Sequence, residues 1–283
     1  MAREVGMARQ HGRSPSDRDR ARTRLFWRTV TLMSVVVGLT LVGLYVAGHA
    51  RRWWGHEHPP GPHGGTVVAL SGEGGHYHAE GVVDGDGVLT LYTLAEDPGR
   101  PEQVEARLLT ARVRQDAGAE EKIVELMPLP RLSDDEGKTS RFAALLPEDL
   151  RKAKLSVSVA QIAVAGSRFS LGLTVGAAAA HPGDDGDDLF GTPGGKYTEE
   201  DMRANGRRTA ASKYAGFTTS HELRPRPGDK SCPVSRFKAS AACTWLVAGK
   251  SYAFCCPPCI AEFLRRAKEH PQSIKEPDEY LTK

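Results

Sequence analysis

The chain has 283 residues, a formal net charge of +3 at pH 7 and an ordinary hydrophobic content of 40%. So weak a charge argues against a nucleic-acid partner, and 30 Gly with 18 Pro suit turn-rich β structure and linkers better than one large core. Five cysteines, an odd number, exclude complete intramolecular disulfide pairing.

Residues 1–28 carry arginines at 3, 9, 13, 18, 20, 22, 24 and 28 against Glu4, Asp17 and Asp19, with almost no apolar periodicity. This reads as a disordered cationic tail. Residues 29–50 contain no Asp, Glu, Lys or Arg and are rich in Val and Leu, which is long enough to span a bilayer as one helix. Phe26 and Trp27 flank one end, and Trp53 and Trp54 the other, as an interfacial aromatic belt. The basic tail is expected to stay cytoplasmic and the bulk of the chain to lie in the periplasm or another extracytoplasmic space. The apolar run is long for a cleaved signal peptide, and no clean small-x-small site follows it.

Beyond the span, residues 51–63 form a histidine-rich juxtamembrane segment. His49 stands at the boundary, His56, His58 and His63 follow, and His76 and His78 come soon after. Prolines 59, 60 and 62 and glycines 61, 64 and 65 make residues 56–65 a poor helix or strand, suited to loose capture of borderline metals. His76 and His78 sit two apart in an alternating run, so they are expected on one strand face, where they would share a metal with His63 or Glu80. The plainer alternative is a solvated face carrying two histidines.

Residues 64–176 read as a β domain. Strands are expected over 66–70, 76–83, 88–94, 104–113, 122–127 and 141–146, with 132–139 as a loop and 147–150 as a single helical turn. Asp84-Gly85-Asp86-Gly87 joins two alternating runs and signals a hairpin; its acids, with Glu80, are read as turn formers rather than a calcium site. Leu155, Val157 and Val159 share one strand face, and Phe169, Leu171, Leu173 and Val175 another. The fold class expected is mainly β: a small sandwich or barrel joined to a small α+β cysteine module, with one N-terminal transmembrane helix.

Residues 177–197 read as a flexible acidic linker. Residues 198–283 form the cysteine module. Thr198 caps a short helix that Asn205-Gly206 ends, and residues 209–214 resume helix. Cys243 to Phe254 reads as a hairpin turning at Gly249, which delivers Cys255 and Cys256 to a helix starting at Pro257 and Pro258. Ile260, Phe263, Leu264 and Ala267 form that helix's buried stripe, and His270-Pro271 ends it.

All five thiols, Cys232, Cys243, Cys255, Cys256 and Cys259, fall within residues 232–259. Cys256 and Cys259 frame a Cys-x-x-Cys at a helix N-terminus, where the dipole favours thiolate, the ligand that Zn(II) and Cu(I) require. Three readings stay open: a metal site, a thiol–disulfide pair of Cys256 and Cys259, and structural disulfides. A c-type haem is disfavoured because Ile260, not His, follows Cys259.

Cys232-Pro233-Val234, the run from Gly249 to Cys259, Phe263, and Pro277-Asp278-Glu279-Tyr280 resemble the YHS/TRASH-like domains, small metal-binding modules attached to heavy-metal transporters and sensors. The chain departs from that pattern in its Cys-Pro-Val order, in Cys243 and in the doubled cysteine at 255–256. The resemblance implies Cys232, Cys255 and Cys259 as primary ligands, with Cys256 and Cys243 supplementary. Pro62-His63-Gly64-Gly65 with Tyr77-His78-Ala79-Glu80 is more weakly similar to a small β domain of bacterial metal-efflux-associated proteins. The whole layout is similar to membrane-anchored proteins of planctomycete-type bacteria.

The expectation is a non-catalytic, membrane-tethered protein that captures, buffers or delivers a transition metal, Zn(II) foremost and Cu(I) next, beside a membrane metal transporter or another envelope protein. A thiol–disulfide oxidoreductase and a structural protein with a fold-stabilising zinc knuckle are the alternatives. No Ser-His-Asp set, phosphate loop or His-Glu-x-x-His motif supports an enzyme.

Overall fold

Period-two alternation of apolar residues builds the first body of the chain. The computed structural model describes residues 60–115, 120–151, 154–176, 186–219 and 223–283, together with Met33. The predicted tail, His49, His56, His58 and all of the predicted span but Met33 lie outside the described residues. Among the described residues, no helix is long and apolar enough to cross a membrane.

Eleven strands come first: β1 (Thr66–Ala69), β2 (Ser71–Gly72), β3 (His78–Val83), β4 (Val88–Leu94), β5 (Val104–Glu105), β6 (Leu109–Arg114), β7 (Lys122–Pro128), β8 (Lys138–Thr139), β9 (Arg141–Leu145), β10 (Leu155–Val164) and β11 (Ser167–Val175). Nine of them form one sheet in the order β1-β3-β4-β9-β7-β6-β10-β11-β2, and β5 pairs with β8 beside it. Only Leu70 separates β1 from β2. One short segment therefore hydrogen-bonds to β3 through Thr66–Ala69 and to β11 through Ser71 and Gly72, the two ends of the strand order. The sheet curls into a nearly closed barrel, which leaves few edge groups unpaired.

Alternation fills the interior. Leu89 and Leu91, Ala111 and Val113, Leu155 and Val157, and Leu171 and Leu173 are all buried in one core. In β10 the register shifts between Val159 and Ile162. The extra residue of this bulge keeps Ile162 and Val164 facing inward along with Val159. Ala165 and Gly166, both at positive φ, make the two-residue turn into β11.

Three strand expectations need correction. Residues 104–113 are two strands, because Val104 and Leu109 are five apart, and an unbroken strand would send them to opposite faces, whereas both are buried in the barrel core. The end of the 132–139 loop is β8, pairing with β5. The strand expected from His76 begins at His78, after Gly74 and Gly75 at positive φ, so His76 and His78 do not share a strand face.

The second body comprises α1 (Gly186–Gly191), α2 (Glu199–Ala204), α3 (Ala210–Lys213), the hairpin β12 (Ser240–Val247) and β13 (Lys250–Phe254), α4 (Pro257–Glu269) and two 3-10 turns, Pro271–Ser273 and Pro277–Tyr280. Thr198 caps α2 in a capping box with Asp201, and Thr209 caps α3. Buried Phe263 of α4 packs its ring 4.8 Å from Tyr252 and 5.3 Å from Phe254 of the hairpin.

The two bodies share a core. Phe142 and Ala144 of β9 point into the barrel, while Ala143, Met127 and Leu129 join the apolar cluster of Trp245, Phe254, Ile260 and Phe263. The outer face of β7 and β9 thus seats the cysteine module, and the described residues from 60 onward form one compact unit.

The glycines flanking His63 have a steric cause. A Cβ on Gly61 would lie 2.4 Å from the Glu80 carboxyl carbon, and one on Gly65 would lie 2.3 Å from the Gly81 carbonyl oxygen. The second obstacle is backbone and cannot swing away. Gly65→Ala is expected to lower unfolding free energy by about 1–3 kcal/mol, as overpacking does. Urea titration followed by circular dichroism checks this, and an unchanged midpoint would show that the 61–65 loop yields freely.

Candidate metal centre

The hairpin and α4 place three of the cysteines. Phe254 ends β13 in the core, Cys255 follows, and Cys256 remains extended at φ −160° as the residue before the helix. Pro257 and Pro258 then open α4, where their missing N–H groups cost nothing. Cys259 comes within the first helical turn, its amide donating to the Cys256 carbonyl at 3.2 Å.

Cys232 arrives from a separate turn. Its amide donates to the Phe237 carbonyl at 2.7 Å, and its carbonyl accepts from the Arg236 amide at 3.1 Å. Arg236 sits at φ 65° to close this turn. The C-terminal turn holds the approach, since the Ser231 amide donates to the Tyr280 carbonyl at 2.7 Å.

The Sγ atoms of Cys232, Cys255 and Cys259 all lie within 4.8 Å of one another and are buried. Cys256 Sγ joins them, 3.7 Å from Cys255 Sγ and 3.4 Å from Cys259 Sγ, and Cys255 Sγ lies 3.5 Å from Cys259 Sγ. Two sulfur triangles therefore share the Cys255–Cys259 edge, with Cys232 and Cys256 at their apices. A tetrahedron of thiolates around Zn(II), with Zn–S about 2.3 Å, has edges of about 3.8 Å. Separations of 3.4–3.7 Å are close to that edge, and a cluster of soft sulfur donors suits a soft or borderline ion.

All five cysteines are free thiols, so the structural disulfides among the sequence alternatives are absent. Burial raises the Cys232 thiol to about 11, and hydrogen bonding to Cys255 adds to the rise. Burial also drives Cys259 well above the ordinary thiol value. Burial would raise Cys256 too, but hydrogen bonding with the Cys255 and Cys259 thiols outweighs it and brings this thiol down to about 6. The two prolines remove the first two amide donors of α4, so neighbouring sulfurs rather than the helix end carry most of that effect.

Cys243 stands outside the sulfur group. It lies two residues before Trp245 and four before Val247 on the buried face of β12. Burial raises its thiol strongly, and it packs as part of the core. Ser235 is a neighbour that the sequence reading missed: its buried hydroxyl lies 3.2 Å from Cys255 Sγ. A serine three residues after a cysteine in a tight turn is the only signal that pointed to it.

The histidines are placed differently. His63 meets Glu80 of β3, with Nδ1 2.8 Å from the carboxylate. His78 Nδ1 lies 3.0 Å from the Ala95 carbonyl, and His76 is exposed in the preceding loop. Among the described residues, no histidine or carboxylate joins a set of three ligand atoms brought so close, so His63, His76, His78 and Glu80 do not assemble into one. Asp84 Oδ1 accepts from the Asp86 and Val88 amides at 3.0 and 2.8 Å, the turn-forming role expected of it.

A cleft of about 470 Å³ borders the cluster. Its lining includes Cys256 and Pro257 together with Met127, Leu146 and Phe217. Comparison of the chain with family models, curated proteins and solved structures found no match.

Proposed function

We propose that this chain is a membrane-tethered, extracytoplasmic protein that binds a transition metal and captures, buffers or delivers it without catalysing a reaction. The observation that carries the reading is the convergence of Cys232, Cys255 and Cys259 within 4.8 Å, with Cys256 in sulfur contact with two of them. Cys232, Cys255, Cys256 and Cys259 are the ligand set, Zn(II) the foremost ion and Cu(I) the next. The cleft at Cys256 favours an ion that exchanges over one sealed in place. The uncharged, Val- and Leu-rich run at 29–50 supports the tether, and the resemblance of 230–281 to YHS/TRASH-like modules supports a transporter or envelope partner.

One observation favours a second reading. Cys256 and Cys259 lie 3.4 Å apart, and Cys256 combines a lowered thiol with a position on a cleft, as an attacking cysteine would. A redox pair needs two sulfurs, however, and leaves the approach of Cys232 and Cys255 without a purpose.

Anaerobic purification of the full chain in detergent, with metal analysis and thiol counting, separates the two. The metal reading expects one ion per chain, lost in Cys256→Ser/Cys259→Ser. Metal-free protein whose Cys256 and Cys259 cycle between dithiol and disulfide would replace it with redox chemistry.

A further inference from the structure

The four clustered sulfurs are not equivalent, and their differences deepen the metal-binding reading on which this inference rests. Cys255 and Cys259 form the edge common to both sulfur triangles, 3.5 Å long. Both are held in place. Cys259 sits in the first turn of α4, its amide donating to the Cys256 carbonyl at 3.2 Å. Cys255 Sγ lies 3.2 Å from the Ser235 hydroxyl. That oxygen also accepts from the Phe237 amide, which leaves its one hydrogen for the sulfur.

The two apices differ. Cys232 is fully buried in its tight turn. The set that joins it to Cys255 and Cys259, with every pair within 4.8 Å, does not take in Cys256. Cys256 lines the cleft of about 470 Å³, and Cys232, Cys255 and Cys259 do not. Among the described residues, the cleft lining carries Glu125 and Glu148 and no Lys, Arg or His. A cleft lined by one sign of charge concentrates the opposite ion, here a cation.

We propose that this cleft is the ion's route and that Cys256 is its first and last ligand. The ion enters on Cys256, Cys255 and Cys259 and is retained on Cys232, Cys255 and Cys259. Its bond to the Cys256 sulfur breaks as the bond to the Cys232 sulfur forms. The Cys232 proton passes to the freed Cys256 sulfur, and no oxidation state changes. Cys255 and Cys259 stay bound throughout, which spares the ion from standing uncompensated in a buried site.

The test measures Zn(II) exchange in the full chain in detergent, by stopped flow with a chromogenic chelator. Wild type is expected to hold one Zn(II). Cys256→Ser should slow uptake and release alike, each about tenfold or more, and move the dissociation constant less than either rate. Cys232→Ser should instead speed release about tenfold or more, leave uptake near wild type and raise the dissociation constant in step. Glu148→Lys, a change at an exposed residue that touches no sulfur, should slow uptake several-fold at low salt and less at high salt. Faster release in Cys256→Ser, matching Cys232→Ser, would mark two equal corners of one closed site and overturn the proposal. So would uptake that neither Cys256→Ser nor Glu148→Lys slows, or two ions per chain, one in each triangle. Wild type that binds no Zn(II) would overturn the metal-binding reading itself and this inference with it.

Discussion

Glu262→Ala is expected to lower the unfolding free energy by about 3–5 kcal/mol, the cost of leaving a buried partner charge uncompensated. Glu262 on α4 is 5% exposed and its carboxylate meets Arg141 Nη2 of β9 at 2.5 Å. Arg265 and Arg266 approach the same carboxylate at 2.5 and 3.0 Å, and Arg266 also donates to the Pro130 carbonyl. Removing the glutamate strands Arg141, whose Nε already has no acceptor. The paired change Arg141→Met/Glu262→Leu should restore much of the loss, since an apolar pair of similar volume is often no worse than a buried ion pair. Urea titrations of Arg141→Met, Glu262→Leu and the double variant form the cycle, with Glu262→Ala beside them. Equal losses in Glu262→Ala and the double variant would show that the stranded charge is not the cause.

The same group sets an acid limit. Burial would raise the Glu262 carboxyl, but Arg141, Arg265 and Arg266 hold it below its usual value of 4.5. A depressed folded value gives stability that is complete above the unfolded value and is lost as pH falls through the folded one. Wild type should therefore weaken on acidification below about pH 4.5, and Glu262→Ala should lose that part of the slope.

Asp201→Ala is expected to cost about 3 kcal/mol, from several hydrogen bonds to one buried carboxylate. Asp201 accepts from the Thr198 amide and hydroxyl, both at 3.0 Å, and from the Ala248 and Gly249 amides, both at 2.8 Å. The last two lie at the tip of the β12–β13 hairpin, where Ala248 takes φ 53°. A side chain in that left-handed region costs roughly 1–2 kcal/mol, which the carboxylate offsets. Ala248→Gly should accordingly stabilise by a fraction of that amount, and Asp201→Asn should fall between wild type and alanine. If asparagine and alanine were equally destabilised, the amide contacts at the hairpin tip would not be the source.

Much of the barrel was legible because its strands are buried on one face. The alternation in Leu155–Val164 and Ser167–Val175, with Ala165-Gly166 between them, needs no distant information. β9 was legible as a strand but not as an interface, since Phe142-Ala143-Ala144 is apolar on both faces and does not say what covers each. Closure by Thr66–Gly72 was not legible either, because a strand of two residues has no period. At the site, the hairpin and helix placed Cys255, Cys256 and Cys259 by local rules. Cys232 was the distant cysteine that the resemblance implied; what local rules did not show is the turn around Arg236 that delivers it and the parity of β12 that turns Cys243 into the core. Asp201 read as a cap for its own helix. Its second role, clamping a hairpin tip 47 residues away, leaves no local trace.

Helix α4 holds Cys259 and Glu262 one turn apart, so the sulfur group and the ion pair on the barrel share a single lever. If an ion binds only the seated form of this helix, occupancy at 1,000 times the dissociation constant adds about 4.1 kcal/mol to that form. Thermodynamic reciprocity then runs backward as well: whatever loosens the helix from β9 weakens retention of the ion by the same factor. A change that loosened the Arg141 side of the joint would then weaken ion binding without touching a sulfur.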